Sequence, residues 1–319
     1  MVDFSIIIPH KNIPDLLQRC LDSIPQREDL EIIVVDDNSD VDIVDFENFP
    51  GKNRNDVTVI FDKIGNGAGR ARNVGLRQAR GKWIILADAD DFFTYCFNKQ
   101  LDYYKDSSAD VIYFCVSSVD SETYVNSNRA DAFNYFFIQY LNGNLEAENF
   151  IRYIVSAPWA KFIKRKLITD NHIECEETSK YDDVQISYLL GYYAQNIMVD
   201  RHAIYCLTER MTSLSTTNSK EKLFDNIRVF ARREQFLKEH NIPVPEGNSF
   251  AFLEALVNIA DSGDNKLYQK CLKELSALGF SQSTIDQMVN QELLNRKKGK
   301  KNESNIFFCF IKTLFGIRR

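Results

Sequence analysis

Five apolar residues, Trp83-Ile84-Ile85-Leu86-Ala87, run straight into Asp88-Ala89-Asp90-Asp91. The run is short, follows Gly81 and reads as a buried strand. Three carboxylates at the end of such a strand repel one another unless a cation shares the space. Hard divalent ions such as Mg or Mn take oxygen ligands of this kind and often bridge to phosphates. In an open α/β sheet the C-terminal ends of the strands are where ligands bind. An acidic turn that starts the next helix is the other reading of the same four residues.

The same design recurs along the first 115 or so residues, which bounds the fold. Apolar strands are predicted at 5–8, 31–35, 57–61, 83–87 and 110–116, with helices at 12–23 and 69–79. In the first of these helices Asn12 is the expected cap and Pro14 lies in the first turn. Continuous apolar strands alternating with helices imply an α/β fold with a Rossmann-like, mainly parallel sheet flanked by helices. The second strand ends in Asp36-Asp37-Asn38-Ser39-Asp40. An Asp there can accept hydrogen bonds from a nucleobase or a ribose hydroxyl, although Asp-Asp-Asn-Ser is also turn chemistry. Gly65-Asn66-Gly67-Ala68-Gly69-Arg70-Ala71-Arg72-Asn73 leads into the second helix. Its backbone N–H groups, the positive helix end and two arginines suit a diphosphate, and a surface loop is the plainer alternative. It is neither the dinucleotide fingerprint nor a P-loop, because it does not follow the first strand and lacks Gly-Lys-Ser/Thr.

These segments, with Ser5-Ile6-Ile7-Ile8-Pro9-His10-Lys11-Asn12 before them and Ala71-Arg72-Asn73-Val74-Gly75-Leu76 between them, resemble glycosyltransferase family 2. Those are inverting enzymes of GT-A fold that use nucleotide-diphospho-sugars. The resemblance is strong over residues 3–116 and weaker to about 215. It implies that Pro9, Asn12 and Asp37 hold the base and ribose, uridine being favoured, and that Asp36 supports their turn. Arg70, Arg72 and Asn73 would line the nucleotide pocket. Asp88 and Asp90 would be the metal-binding pair, with Asp90 the direct ligand to Mn or Mg, and Asp91 a donor-sugar contact. His10-Lys11 departs from the Val-Tyr type of pair common there. The catalytic base would lie in Tyr181-Asp182-Asp183-Val184, opening a helix over 182–193; Asp183 matches the catalytic member and Asp182 is the alternative. A first-turn acid pair stabilising a helix start is the structural reading of the same residues. Ala157-Pro158-Trp159-Ala160-Lys161 resembles an acceptor-side segment in which Trp159 stacks on a sugar; a core tryptophan is equally consistent. Arg210-Met211-Thr212-Ser213-Leu214-Ser215 resembles a segment that closes over the diphosphate.

Two other classes compete. A sugar nucleotidyltransferase would place a glycine-rich triphosphate loop after the first strand, where Pro9-His10-Lys11-Asn12 has no glycine. A catalytically silent nucleotide-sugar or glycan binder would keep the pocket without needing Asp183.

The rest of the chain sets the organisation. A helix near 132–141 and a strand at 197–207 are expected, followed by helices near 221–240, 249–262, 266–278 and 281–296, with Pro243 and Pro245 marking a linker. The division expected is a catalytic domain at 1–218, a helical region at 219–296 and a tail at 297–319. A net charge of -6 argues against general nucleic-acid binding. It conceals a tail, 296–319, with eight Lys/Arg and one Glu. Seven scattered cysteines without a C-x-x-C pair read as reduced thiols. The four histidines lack metal-ligand spacing, so zinc is not expected. With no signal peptide evident and no apolar run long enough to span a bilayer, a cytoplasmic location is expected. In the tail Phe307, Phe310, Ile311 and Leu314 share a helical face beside Lys297-Lys298-Gly299-Lys300-Lys301. That pattern suits an anionic membrane surface and a lipid-linked or glycan acceptor; docking on the protein's own helices is the alternative. The chain is therefore expected to partition onto vesicles containing anionic lipid more than onto neutral ones. Equal partition in a sedimentation assay would rule the membrane contact out.

Overall fold

The computed structural model describes residues 2–210, 219–243 and 251–297. Strands β1 (Phe4–His10), β2 (Leu30–Asp37), β3 (Val57–Asp62) and β4 (Trp83–Leu86) run parallel in the order β3-β2-β1-β4. β1 and β2 are buried along their whole lengths, which is why both read as unbroken apolar runs. The register sets His10 beside Asp36, Asp37 beside Asp62, and Ile7 beside Leu86. Asp36, Asp37, Asp62 and Asp88 therefore gather at one edge, the carboxyl ends of four adjacent strands. β1 lies at the point where the strand order reverses, the place where such sheets open a crevice.

Helix α1 (Pro14–Asp22) follows β1, and α2 (Gly67–Gln78) covers β1 and β2. The predicted cap of α1 is corrected. Asn12 has φ of +57°, its N–H donates to Ser39 Oγ, and its Oδ1 accepts from the Asp40 N–H. Ile13 takes the N-cap position without a side-chain cap bond among the described residues, and Pro14 opens the helix. Asparagine tolerates the left-handed region, so it turns the β1 chain toward β2 instead.

The second half of the sheet combines the elements expected near 110–116, 132–141, 182–193 and 197–207 with others that the sequence pattern does not announce. β5 (Phe92–Phe93) comes directly after the acidic run, then α3 (Phe97–Tyr104), β6 (Val111–Asp120), α4 (Asp131–Leu141), α5 (Glu146–Tyr153), β7 (Lys161–Lys164), α6 (Arg165–Asp170), α7 (Asp183–Tyr193) and β8 (Ile197–Glu209). β7 runs antiparallel between β4 and β6, which makes the sheet mixed and brings Lys161 toward the carboxyl end of β4. β6 and β8 pair in parallel over their lengths, with a register shift between Phe114 and Val116. β5 pairs antiparallel with Tyr205 and Cys206 of β8, so the acidic run is tied down on both sides.

Four further helices, α8 (Lys220–Glu239), α9 (Leu253–Asp261), α10 (Asn265–Ala277) and α11 (Gln282–Lys297), surround a second core that includes Ile227, Phe230, Leu256, Cys271 and Leu275. Val184 and Tyr188 of α7 belong to this second core. Pro245, the segment 211–215 and the tail beyond 297 lie outside the described residues. No helix among the described residues is long and apolar enough to cross a membrane.

α7 is held closely against α5. The Arg152 guanidinium donates to the Gly191 and Ala194 carbonyls at 2.8 Å, and a methyl group at Gly191 would overlap the Arg152 carbonyl oxygen. Gly191→Ala should therefore destabilise the protein by about 1–3 kcal/mol, as forced overpacking does. Chemical denaturation reads this directly, and an unchanged midpoint would show that α5 and α7 can part without cost.

Candidate active site

At the β1 and β2 ends, His10 and Asp36 form a fully buried pair with Nδ1 and Oδ1 2.8 Å apart. The Ile13 N–H donates to Nε2, so the ring proton belongs on Nδ1 and points at Asp36. Burial pushes the Asp36 carboxyl up, but hydrogen bonds from His10 and from the Ser39 hydroxyl and N–H outweigh it and hold the acid below its ordinary range. Asp36 thus braces the turn. Asp37 faces the other way. Its carboxylate accepts from the Gly67 N–H at 3.0 Å and from Lys11 Nζ at 3.2 Å, which ties β2 to the start of α2. Pro9 is buried in β1, and Asn38 follows with φ of +52°.

At the β4 end, ligand atoms of Asp88, Asp90 and Asp91 all lie within 4.8 Å of one another. Each has a cationic or backbone partner. Arg72 Nη2 donates to Asp88 Oδ1 at 2.6 Å, and Arg210 Nη2 to Asp90 Oδ2 at 2.6 Å. The Thr208 N–H donates to Asp91 Oδ1 at 2.7 Å, while Arg19 and the Thr208 hydroxyl hold the Asp90 carbonyl. Burial and mutual repulsion raise the Asp88 carboxyl, with Arg72 opposing, and raise Asp91 well above the ordinary range. Clustered hard oxygen donors whose charge the protein only partly offsets fit Mg or Mn.

Asp182 and Asp183 open α7. Arg72 Nη1 bonds Asp182, so one buried guanidinium spans Asp88 and Asp182. Burial opposes the charge on Arg72, but the two carboxylates outweigh it and raise its pKa. Burial and the neighbouring Asp182 push Asp183 up to about 7, with Arg72 opposing. The preceding loop closes on α2. Asn73 Nδ2 and Oδ1 pair with the Cys175 carbonyl and N–H, and Gly69 leaves room for the Glu176 carbonyl. Tyr181, just before the pair, has φ of +67°.

Three expected site residues have other partners in this structure. Asn73 is buried and spends both amide atoms on Cys175, so it shapes the loop and does not line a pocket. Arg70 points to Asp62 at 2.7 Å and Glu177 at 3.8 Å, at the rim and away from the acidic cluster. Trp159 is 5% exposed, edge-on to Phe133 and stacked on Tyr205. Tyr205 in turn accepts the Asp88 N–H at 2.8 Å, so Trp159 packs behind the acidic run, as the core reading has it. Arg19, Thr208 and Tyr205 are the residues that sequence reasoning missed. They carry no local motif, since each reaches the acidic run from a distant element.

The sheet and its acidic crevice are those of the GT-A fold. The family model described as Glycosyl transferase family 2 matches residues 5–165, half of the chain, and the chain belongs to that family. Poly(ribitol-phosphate) beta-glucosyltransferase of Bacillus spizizenii is 39% identical over 93 residues, which is 28% of this chain but 15% of that relative's length. The crystal structure of S. aureus TarS 1–349 with UDP-GlcNAc superposes with a TM-score of 0.61 at 20% identity, covering 95% of this chain and 93% of that one. Mannosyltransferase PcManGT of Pyrobaculum calidifontis, with GDP-Man and Mn2+, gives 0.56 at 15% identity over 99% of this chain and 88% of that one. At these identities both structures speak to the fold.

Lys161 lies beneath the base candidate. It is 2% exposed, with Nζ 3.5 Å from Ser187 Oγ on α7 and over the Tyr113 ring at 5.2 Å. Burial lowers its pKa from 10.5 to about 8, with Asp183 pulling the other way. The unfolded chain holds this proton more tightly between those two values, so burying the charge destabilises the fold at neutral pH and ceases to as pH rises. Lys161→Met should melt above the wild type at pH 7, with the gain shrinking between pH 8 and 10. A gap constant across that range in paired melting curves would show that the charge is buried without penalty.

Proposed function

We propose that the chain transfers a sugar from a nucleotide-diphospho-sugar, a UDP-sugar foremost, to an acceptor hydroxyl with inversion. The observation that supports this reading best is Arg72. It holds the acidic cluster at the β4 end and the carboxylate pair at the α7 start within one guanidinium's span. Two acidic groups this close suit a donor-diphosphate site with a base beside it.

In this reading the Asp36-braced turn, Asp37 and Lys11 receive the base and ribose. Asp88 and Asp90, with Asp91 behind them, would hold a divalent cation, which supplies charge neutralisation for the departing diphosphate. Arg210 adds a cation beside Asp90. Asp183 takes the proton from the acceptor hydroxyl as that oxygen attacks the anomeric carbon opposite the leaving group. A carboxylate raised to about 7 accepts a proton better than an ordinary one, and about half of it is charged at neutral pH. Asp182, neutralised by Arg72, is left as a support for that geometry. No covalent enzyme intermediate is required. Assembly of surface polysaccharide or glycolipid is the acceptor context we favour. The similarity to the Bacillus poly(ribitol-phosphate) glucosyltransferase and to the UDP-GlcNAc-bound TarS structure supports the UDP-sugar and the polymer acceptor. The Mn2+ in PcManGT supports the cation.

Thermal unfolding against nucleotide-diphospho-sugars, with and without Mn, tests the donor site, because a ligand of the folded state must raise the midpoint. A Mn-dependent rise with one donor, lost in Asp90→Asn, is expected. No rise with any donor would overturn the reading. Asp183→Asn should keep that rise yet lower kcat by roughly 10²–10⁴-fold, the usual worth of a general base. Wild-type turnover should fall as pH drops through about 7, where Asp183 gains its proton. Full donor binding with no transfer in the wild type would favour a silent binder.

A further inference from the structure

The loop from 174 to 182 has two sides. The inner side closes on α2 through Asn73 and Gly69, and Asn66 Nδ2 donates to Glu177 Oε2 at 2.8 Å. The outer side is held by the helical region. Asp225 of α8 accepts from the Ser179 N–H at 3.0 Å and from its hydroxyl at 2.6 Å. Arg232 of α8 reaches Glu176 Oε1 at 3.2 Å and Glu274 of α10 at 3.6 Å. The Tyr181 ring meets Phe230 edge-on at 5.2 Å.

We infer that the helical region is the outer jaw of the active site, with Asp225 and Arg232 as positioning residues that set the reach of Asp183. The inference rests on Asp183 being the base. Three features carry it. Tyr181 holds φ of +67°, a conformation that in a non-glycine residue persists only when its surroundings impose it. α7 begins without a side-chain cap bond from Asp182, whose carboxylate is turned to Arg72, and the Glu176 N–H to Asp182 carbonyl bond fastens the loop to the helix start at 3.1 Å. The carboxylate of Glu176 is nearly buried, and its Oε2 has no hydrogen-bond partner among the described residues, so Arg232 is what anchors it. Whatever moves residues 176–181 therefore turns Asp182 and Asp183 with them. The contacts that hold those residues on their outer side come from α8.

The test pairs hydrogen exchange with kinetics in the full chain. Asp225→Ala and Arg232→Met should speed amide exchange over residues 174–184 by roughly tenfold or more while leaving β1, β2 and β4 unchanged. They should also lower kcat roughly tenfold, with donor KM within about twofold, because misplacing a base weakens the transition state more than donor binding. Asp225→Asn, which keeps an acceptor oxygen for Ser179, should restore most of both. Exchange that stays unchanged over 174–184, or that rises equally across the sheet, would overturn the inference, as would a kcat loss matched by loss of donor binding. Asp183→Asn separates the two readings: transfer that survives it refutes Asp183 as base, whereas the exchange result reports on the jaw alone.

Discussion

The Arg72 guanidinium lies between two groups of acids that could not otherwise share one crevice. Asp88, Asp90 and Asp91 end β4, and Asp182 and Asp183 begin α7. A buried charge without a partner destabilises a fold by several kcal/mol, so this concentration of carboxylate needs fixed cations. Arg72 joins the two groups directly, and Arg210 and Arg19 hold Asp90 by its side chain and its carbonyl. α2 can carry Arg72 to that point because Gly69 admits the Glu176 carbonyl against the helix. The glycine-rich start of α2, read from sequence as a phosphate cradle, lets the loop that leads to Asp182 and Asp183 come close.

Backbone conformation reinforces the arrangement. Asn12 and Asn38, at the ends of β1 and β2, and Tyr181, before the acid pair of α7, all lie in the left-handed region. Asparagine enters it readily, whereas tyrosine does so at a cost of about 1–3 kcal/mol. At Asn12 and Tyr181 the neighbouring hydrogen bonds, Asn12 to Ser39 and Glu176 to Asp182, keep the conformation in place.

Strand-end carboxylates were legible in the sequence because a buried strand has a characteristic composition and its end is marked by the first charged residues. That logic reaches Asp36, Asp37, Asp88 and Asp90, and the acid pair opening α7 follows from helix-start chemistry. It does not reach β7, four residues whose apolar pair Phe162 and Ile163 is flanked by lysines, so neither period nor length announces a strand. Nor could it tell a sugar-stacking Trp159 from one packed on Tyr205, since a tryptophan's role depends on what the other strands bring to its face. Asn73 and Arg70 stand three residues apart on one helix, yet one turns inward to Cys175 and the other outward to Asp62. Only the long-range packing of the 174–182 loop decides that.

The family match ends at residue 165, at the start of α6, whereas α7 begins at Asp183 and buries Val184 and Tyr188 in the core of the helical region. The piece of this chain that could be exchanged with a relative is accordingly larger than the piece that resembles one. A chimera joined near residue 165 would unite the β4 acidic cluster of one parent with an acid pair shaped by another. One joined near 218 would strip apolar side chains of α7 of their partners. The start of α7 and the helical-region sequence are thereby bound to vary together, a form of inheritance set by packing and not by the motifs that define the family.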